Sequence, residues 1–219
     1  MFPVGVYNVE DYPLNWIGGT YYSTYKGNTF QVSLIENVKS EAEYNAVTNI
    51  SLGSQSLTTD FTNTLLSKFN NLVVLVLNNN SITLLDVTSV DKATVIYCHN
   101  NQISTLDVTQ CSGLIDLRCF NNSISVLDVS SLINLQRIYC YNNQISTLDV
   151  SNLNSLTQLY CYTNQLDAAT NSQILIDLDA NGKSNGILSS SIFGGGSLTT
   201  AGQTAKTNLL SKGWTIVGI

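Results

Sequence analysis

Four cysteines recur at a fixed spacing of 21 residues: Cys98, Cys119, Cys140 and Cys161. Thiols in such a column have three chemistries open to them. They can bridge, hold a metal as thiolates, or fill a core as small apolar side chains. The column contains no C-x-x-C pair, and Cys111 makes the set odd. Strands stacked about 4.8 Å apart would bring successive thiols within bridging range. The reading preferred here is nevertheless a stack of buried, reduced thiols, because free cysteine is among the most buried residue types.

Aspartates recur with the same period at Asp86, Asp107, Asp128 and Asp149. A calcium ladder would need six to eight oxygens per ion, and one carboxylate per turn supplies few. The expected role is to accept hydrogen bonds from nearby turn N–H groups. Asp177-x-Asp179-x-Asn181-Gly182 matches the first half of an EF-hand-type calcium loop, but Leu188 stands where the bidentate glutamate would be. A structural turn is the expectation there. His99 is the single histidine, so there is no second one for a His-Glu-x-x-His site. No Gly-x-x-x-x-Gly-Lys phosphate loop occurs, and Gly194-Gly195-Gly196 has no lysine after it. The sequence predicts neither an enzyme nor a cofactor or metal site.

The element that positions these residues is a repeat. Blocks of 21 residues begin at Leu72, Ala93, Leu114 and Leu135, and Leu156 opens a fifth that keeps only the first half of the pattern. Position 4 is Leu75, Ile96, Leu117, Ile138 and Leu159; position 9 is Asn80, Asn101, Asn122, Asn143 and Asn164; position 11 is Ile82, Ile103, Ile124, Ile145 and Leu166. The pattern L-x-x-L-x-L-x-x-N-x-L resembles the leucine-rich repeat. With cysteine at position 6 and Leu-Asp-Val at 14 to 16, it is similar to the 21-residue repeats of Bacteroidetes-type bacterial proteins. That resemblance implies an α/β repeat fold: a leucine-rich-repeat solenoid with a parallel sheet. Positions 3 to 7 form a short strand, and each block buries its apolar arc only against its neighbours. The position-9 asparagine donates and accepts along the stack where the chain leaves the strand. Asn122, in mid-stack, is expected to matter more than Asn164 at a frayed end.

Side chains alternate along a strand, so positions 5 and 7 face away from the core. Position 5 carries Tyr97, Arg118, Tyr139 and Tyr160, and position 7 carries His99, Phe120, Tyr141 and Tyr162. Position 3 adds Val95, Asp116, Arg137 and Gln158. A concave, aromatic-rich face of this kind suits partner binding, since rigid tyrosines bind at low entropic cost. The same columns also suit mutual stacking that stabilises the sheet. Both readings stand at this stage.

The flanks differ in character. Residues 1–45 carry Tyr7, Tyr12, Trp16, Tyr21, Tyr22, Tyr25 and Phe30 with little charge, and alternation over Thr29–Ile35 suggests strands. This β-rich N-terminal region is read as an anchoring or assembly segment, with an extended cap as the alternative. Residues 46–71 read as an N-terminal cap with a helix near Asp60–Phe69, 72–166 as the solenoid, and 167–219 as an α/β C-terminal cap. In that cap Ile174, Leu175 and Leu178 share a helical face that ends at Asp179-Ala180-Asn181-Gly182. Thr200-x-x-Gln203 resembles a capping box, Ala205, Leu209 and Leu210 line the following helix, and Trp214–Val217 closes as a strand.

The combination LDANG, Gly194-Gly195-Gly196 and TAGQTAKTNLLSKGWTI is similar to the tail of structural proteins of phages infecting Bacteroidetes. That similarity implies a virion component within a larger assembly, meeting other virion proteins or a host-surface protein or glycan. The alternative is a bacterial cell-surface or secreted adhesin binding protein or glycan. Composition limits the partners further. The chain of 219 residues is 43% hydrophobic and only 11% charged, with net charge −6, so it reads as folded and as no binder of nucleic acid or anionic membrane. It has no apolar run long enough to span a membrane, and its first eleven residues lack the basic and apolar parts of a signal peptide, which suggests an unexported start.

Overall fold

The computed structural model describes residues 48–54, 57, 63, 66, 67, 69–191 and 196–219, and the backbone of 14–17, 20–25 and 28–32. Gly194 and Gly195, and the side chains of the aromatic N-terminal region, lie outside the described residues.

The repeat closes into a parallel-sheet solenoid. Its strands are β5 (Val74–Val76), β7 (Val95–Tyr97), β9 (Asp116–Arg118), β10 (Arg137–Tyr139) and β11 (Gln158–Tyr160). Each strand sets its position-4 residue beside that of the next, from Leu75↔Ile96 to Ile138↔Leu159. Three residues suffice per strand because the middle one is fully buried and the flanking ones face outward. The apolar columns all enter one core. Leu114, Leu117, Cys119, Ile124, Leu127, Val129 and Leu132, a single turn of the repeat, are each at most 3% exposed. On the other side, β6 (Leu84–Leu85) and β8 (Thr105–Leu106) make a short parallel pair.

The sheet runs beyond the recognisable repeat at both ends, into segments expected to be caps. β4 (Asn49–Ser51) pairs with β5, placing Ile50 beside Leu75. On the other flank β12 (Ile187–Ser189) and β13 (Thr215–Val217) extend the order to β13-β12-β11-β10-β9-β7-β5-β4, all parallel. Helices α1 (Ala168–Ala180) and α2 (Thr200–Ser211) carry the two last crossovers in place of the tight turns of the repeat. Of the helix expected near Asp60–Phe69, Asn63 and Leu66 are described and helical. The N-terminal region holds an antiparallel meander of β1 (Leu14–Ile17), β2 (Thr20–Tyr25) and β3 (Asn28–Val32), the last overlapping the stretch Thr29–Ile35 where alternation suggested strand.

Two details correct the sequence reading. The cap of α2 is Thr199, whose hydroxyl accepts from Gly202 N–H at 3.1 Å; Thr200 already lies in the helix. Leu210 is 51% exposed, so the apolar face of α2 is Gly202, Ala205 and Leu209. Gly202 is held to glycine by contact, because a Cβ there would meet the Ser172 side chain of α1 at 2.7 Å. The calcium-loop resemblance also fails on geometry. Asp177 and Asp179 lie in the last turn of α1, where residues two apart diverge around the helix. Asp177 accepts from Gln173 at 2.7 Å, whereas Asp179 pairs with Lys212 and Asn208.

Candidate partner-binding face

The turn out of each strand is held by two asparagine columns. At position 9 the side-chain amide donates to two position-6 carbonyls, its own and that of the preceding turn: Asn122 Nδ2 reaches Cys119 O at 3.0 Å and Cys98 O at 3.1 Å. Its Oδ1 accepts from Ile103 N–H at 2.9 Å, so one side chain satisfies three backbone groups. Position 8 was not singled out from sequence. Asn79, Asn100, Asn121 and Asn142 there adopt φ of 52–57°, the left-handed region asparagine tolerates best. The amides of Asn100, Asn121 and Asn142 each donate to the side-chain Oδ1 of the preceding asparagine at 2.6 Å, giving a second, outer ladder. The doublet Asn-Asn was the available signal: one member for the bonds, the other for the backbone conformation.

The aspartate column does what its position suggested. Asp86, Asp107 and Asp128 each accept from the N–H and hydroxyl of the Thr or Ser two residues on, at 2.6–3.0 Å. Asp149 accepts from Ser151 N–H at 2.9 Å. These bonds hold the Asp86, Asp107 and Asp149 carboxyls below the ordinary range. All five cysteines are free and buried. Burial pushes the Cys98 and Cys161 thiols up to about 12 and holds Cys119 and Cys140 well above the usual value. They are therefore protonated at neutral pH, and a protonated thiol is a poor nucleophile.

Fixed turns hold the strands in register, and register aligns the outward side chains. The position-7 column forms one continuous ring stack. His99 and Phe120 lie 4.2 Å apart between centroids, Phe120 and Tyr141 4.4 Å, and Tyr141 and Tyr162 4.6 Å, with interplanar angles of 8–16°. In the position-5 column Tyr139 stacks on Tyr160 at 4.7 Å. The Arg118 guanidinium lies between two rings of the same column, 4.3 Å over Tyr97 and 5.0 Å over Tyr139. All eight aromatic, histidine and arginine positions expected to form the face do form it, and each is partly exposed. Stacking within the columns is thus a fact of the structure, and it makes the surface rigid.

Sequence reasoning missed the organiser of this face. Asp116 sits at an outward position yet is only 1% exposed, because its neighbours close over it. Its Oδ2 accepts from Arg137 Nε at 2.8 Å, Arg118 Nη2 at 3.1 Å and the Tyr97 hydroxyl at 3.1 Å, and its Oδ1 accepts from Arg118 Nε at 3.2 Å. Burial opposes ionisation, but the arginine bonds outweigh it and keep the carboxyl below its usual range. Tyr139 extends the network by donating to Gln158 at 2.5 Å. The available signal was the position-3 column, where an Asp and an Arg fall in adjacent turns.

His99 is held in the stack. Burial, then the charge of Arg118, lowers its pKa, so the ring is neutral at pH 7. Its buried Nδ1 has no partner among the described residues, so no carboxylate orients it as a base. Among the described residues no group of three or more His, Cys, Asp or Glu side chains could hold a metal ion. No helix of the described residues is long and apolar enough to cross a membrane.

No family model matches the chain, and no curated protein does. Among solved structures it is similar to the functional domain of InlJ from Listeria monocytogenes, described as including a cysteine ladder, at 19% identity and a TM-score of 0.47 over 82% of this chain and 46% of that one. It is similar also to an internalin, inlF, of the same organism, at 17% identity and a TM-score of 0.49 over 82% of this chain and 63% of that one. A third is internalin C2, again from Listeria monocytogenes, at 22% identity and a TM-score of 0.44 over 71% of this chain and 78% of that one. The chain thus spans about half to just under two thirds of the length of the first two.

Proposed function

We propose that this chain is a non-enzymatic interaction protein, displayed on a bacterial surface or secreted, whose outward sheet face engages a protein partner. The observation that carries this reading is the stacked face itself: two columns of rings and guanidinium locked by register and by Asp116. Side chains already ordered in the free protein lose little entropy on binding, which is where recognition surfaces otherwise lose affinity. The single neutral histidine and the protonated thiols leave the face without an evident nucleophile or base. The virion reading rests on the tail similarity, the unexported start and the polar, weakly charged composition, and no comparison reinforced it.

The test uses the full chain immobilised beside a Tyr141→Ala/Tyr160→Ala variant and a Val126→Ser control, Val126 being 72% exposed away from the face. Each is challenged with extracellular and cell-surface proteins, and retained species are identified by mass spectrometry. A partner kept by the wild type and the control but lost by the tyrosine variant is the expected result. Identical retention by all three sinks the proposal. Gene context separates the locations: capsid or tail genes beside the reading frame would favour the virion.

A further inference from the structure

We propose that Arg137, with Arg118 beside it, is a carboxylate-binding subsite at the centre of the outward face, and that the partner presents an acidic side chain to it. This rests on the reading of the face as a partner site and adds the chemistry of the partner. On the described parallel strands, from β4 to β13, the charged residues at positions 3, 5 and 7 are Asp116, Arg118 and Arg137. Two guanidiniums against one carboxylate leave the face net positive, although the chain as a whole carries −6. An acidic partner is repelled by the molecule in general and attracted at this one place.

The hydrogen-bond inventory sharpens the point. Asp116 is fully engaged, with three donors on Oδ2 and one on Oδ1. Arg137 commits only its Nε to that carboxylate. Its Nη1 and Nη2, and Nη1 of Arg118, have no partner among the described residues, and both arginine side chains are 35% exposed. Two terminal amino groups on one guanidinium form the planar fork that meets a carboxylate through paired bonds. The fork is pre-set, because Arg137 is tethered through Nε and its neighbour Arg118 is clamped between Tyr97 and Tyr139. The aromatic columns select in the same direction. Ring faces within the stacks are covered by one another, so a sugar has few open faces to lie on. What the rings offer is their positive C–H edges, which suit an anionic, acceptor-rich partner.

The experiment measures binding of a fluorescein-labelled hexaglutamate peptide to the full chain by anisotropy, with dextran sulfate and polygalacturonate as competitors. Arg137→Gln should weaken peptide binding about tenfold. Arg137→Lys keeps the charge without the fork and should fall between it and wild type. Lys183→Gln, an exposed lysine off the face, should change nothing. Circular dichroism confirms that each variant is folded, Asp116 retaining Arg118 and Tyr97 as partners in both. Absence of peptide binding overturns the proposal, as does equal loss in Lys183→Gln or wild-type binding by Arg137→Lys. Arg137-dependent binding of the polysaccharides without binding of the peptide also overturns it, in favour of an anionic glycan. If the peptide fails while the tyrosine-dependent protein partner is still captured, only the carboxylate subsite falls and the face keeps its proposed role.

Discussion

The side-chain amide of Asn164 donates to the carbonyl of Cys140, one turn back, at 3.0 Å, and this contact repeats down the solenoid. Every such asparagine bonds backwards, to its own turn and the one before it. Asn164 therefore has the full set, including Cys161 O at 3.0 Å and Ile145 N–H at 3.0 Å. It is also more buried than Asn122, at 4% exposed, because β12 and α1 continue the stack beyond it. The expectation that its end frays is corrected accordingly. Asn164→Ala should cost at least as much as Asn122→Ala, each about 1–3 kcal/mol for buried backbone groups left unpaired. Urea melts of the two variants decide it. A clearly smaller loss at Asn164 would mean that the C-terminal unit does not seal the stack.

Thr163 holds position 8 in the last repeat turn with φ of +52°, a conformation costly for a β-branched residue. The four preceding members of the column are asparagines. Thr163→Asn should relieve the backbone and let the new amide donate to Asn142 Oδ1, extending the outer ladder by one rung. The expected gain is about 1 kcal/mol, or roughly 2–4 °C in Tm for a domain of this size. Thr163→Gly should recover less, since it supplies no rung. An unchanged or lower Tm for Thr163→Asn would remove strain as the cost at this site.

The core was legible because periodicity encodes burial directly: a residue recurring every 21 positions, such as Ile96 or Leu117, must face the same interior. The eight face residues followed from strand alternation alone. What stayed hidden depends on contacts between columns or on elements outside the period. Asp116 looks outward by parity, and its burial comes from Arg118 two residues along the strand and from Tyr97 and Arg137 in the adjacent turns. The strand β12 is three residues, Ile187-Leu188-Ser189, with neither alternation nor a repeat neighbour in sequence, so nothing local marks it. β4 is marked only by Ile50, Leu52 and Leu57, which keep the apolar spacing of positions 4, 6 and 11 without the asparagine between them.

Gly186 lies against the ring of Trp214, and a Cβ there would sit 2.5 Å from Cη2 and 2.6 Å from Cζ2 and Cζ3. The indole cannot easily retreat, because Nε1 donates to Lys183 O at 2.8 Å and the ring is 3% exposed. Gly186→Ala should therefore destabilise by about 1–3 kcal/mol through overpacking. Trp214→Phe in the same chain should give back part of that loss, so the double variant is less than additive. Strictly additive losses in denaturant melts would place the cost somewhere other than this contact.

Asp177 runs against Asp86, Asp107, Asp116 and Asp149, whose carboxyls are held low. Burial raises its pKa, the bond from Gln173 lowers it, and the nearby charge of Asp149 raises it again. A carboxyl with a raised folded pKa holds its proton more tightly in the native state than in the unfolded chain. Stability is then lost as pH rises from the unfolded value near 3.8 through the raised folded value, and the loss is complete above it. Asp177→Asn removes the ionisation and keeps an oxygen for Gln173 Nε2 to donate to. The variant should be more stable than wild type at pH 7, by about 1 kcal/mol or less once partial screening is allowed for. The difference should shrink toward zero by about pH 3, as the wild-type carboxyl becomes protonated in both states. Taking the difference between variant and wild type cancels the opposite trend of Asp86, Asp107 and Asp149. Urea midpoints at the two pH values test it: a gain of equal size at both would trace the effect to packing, and a loss at pH 7 would mean that the charge itself is used.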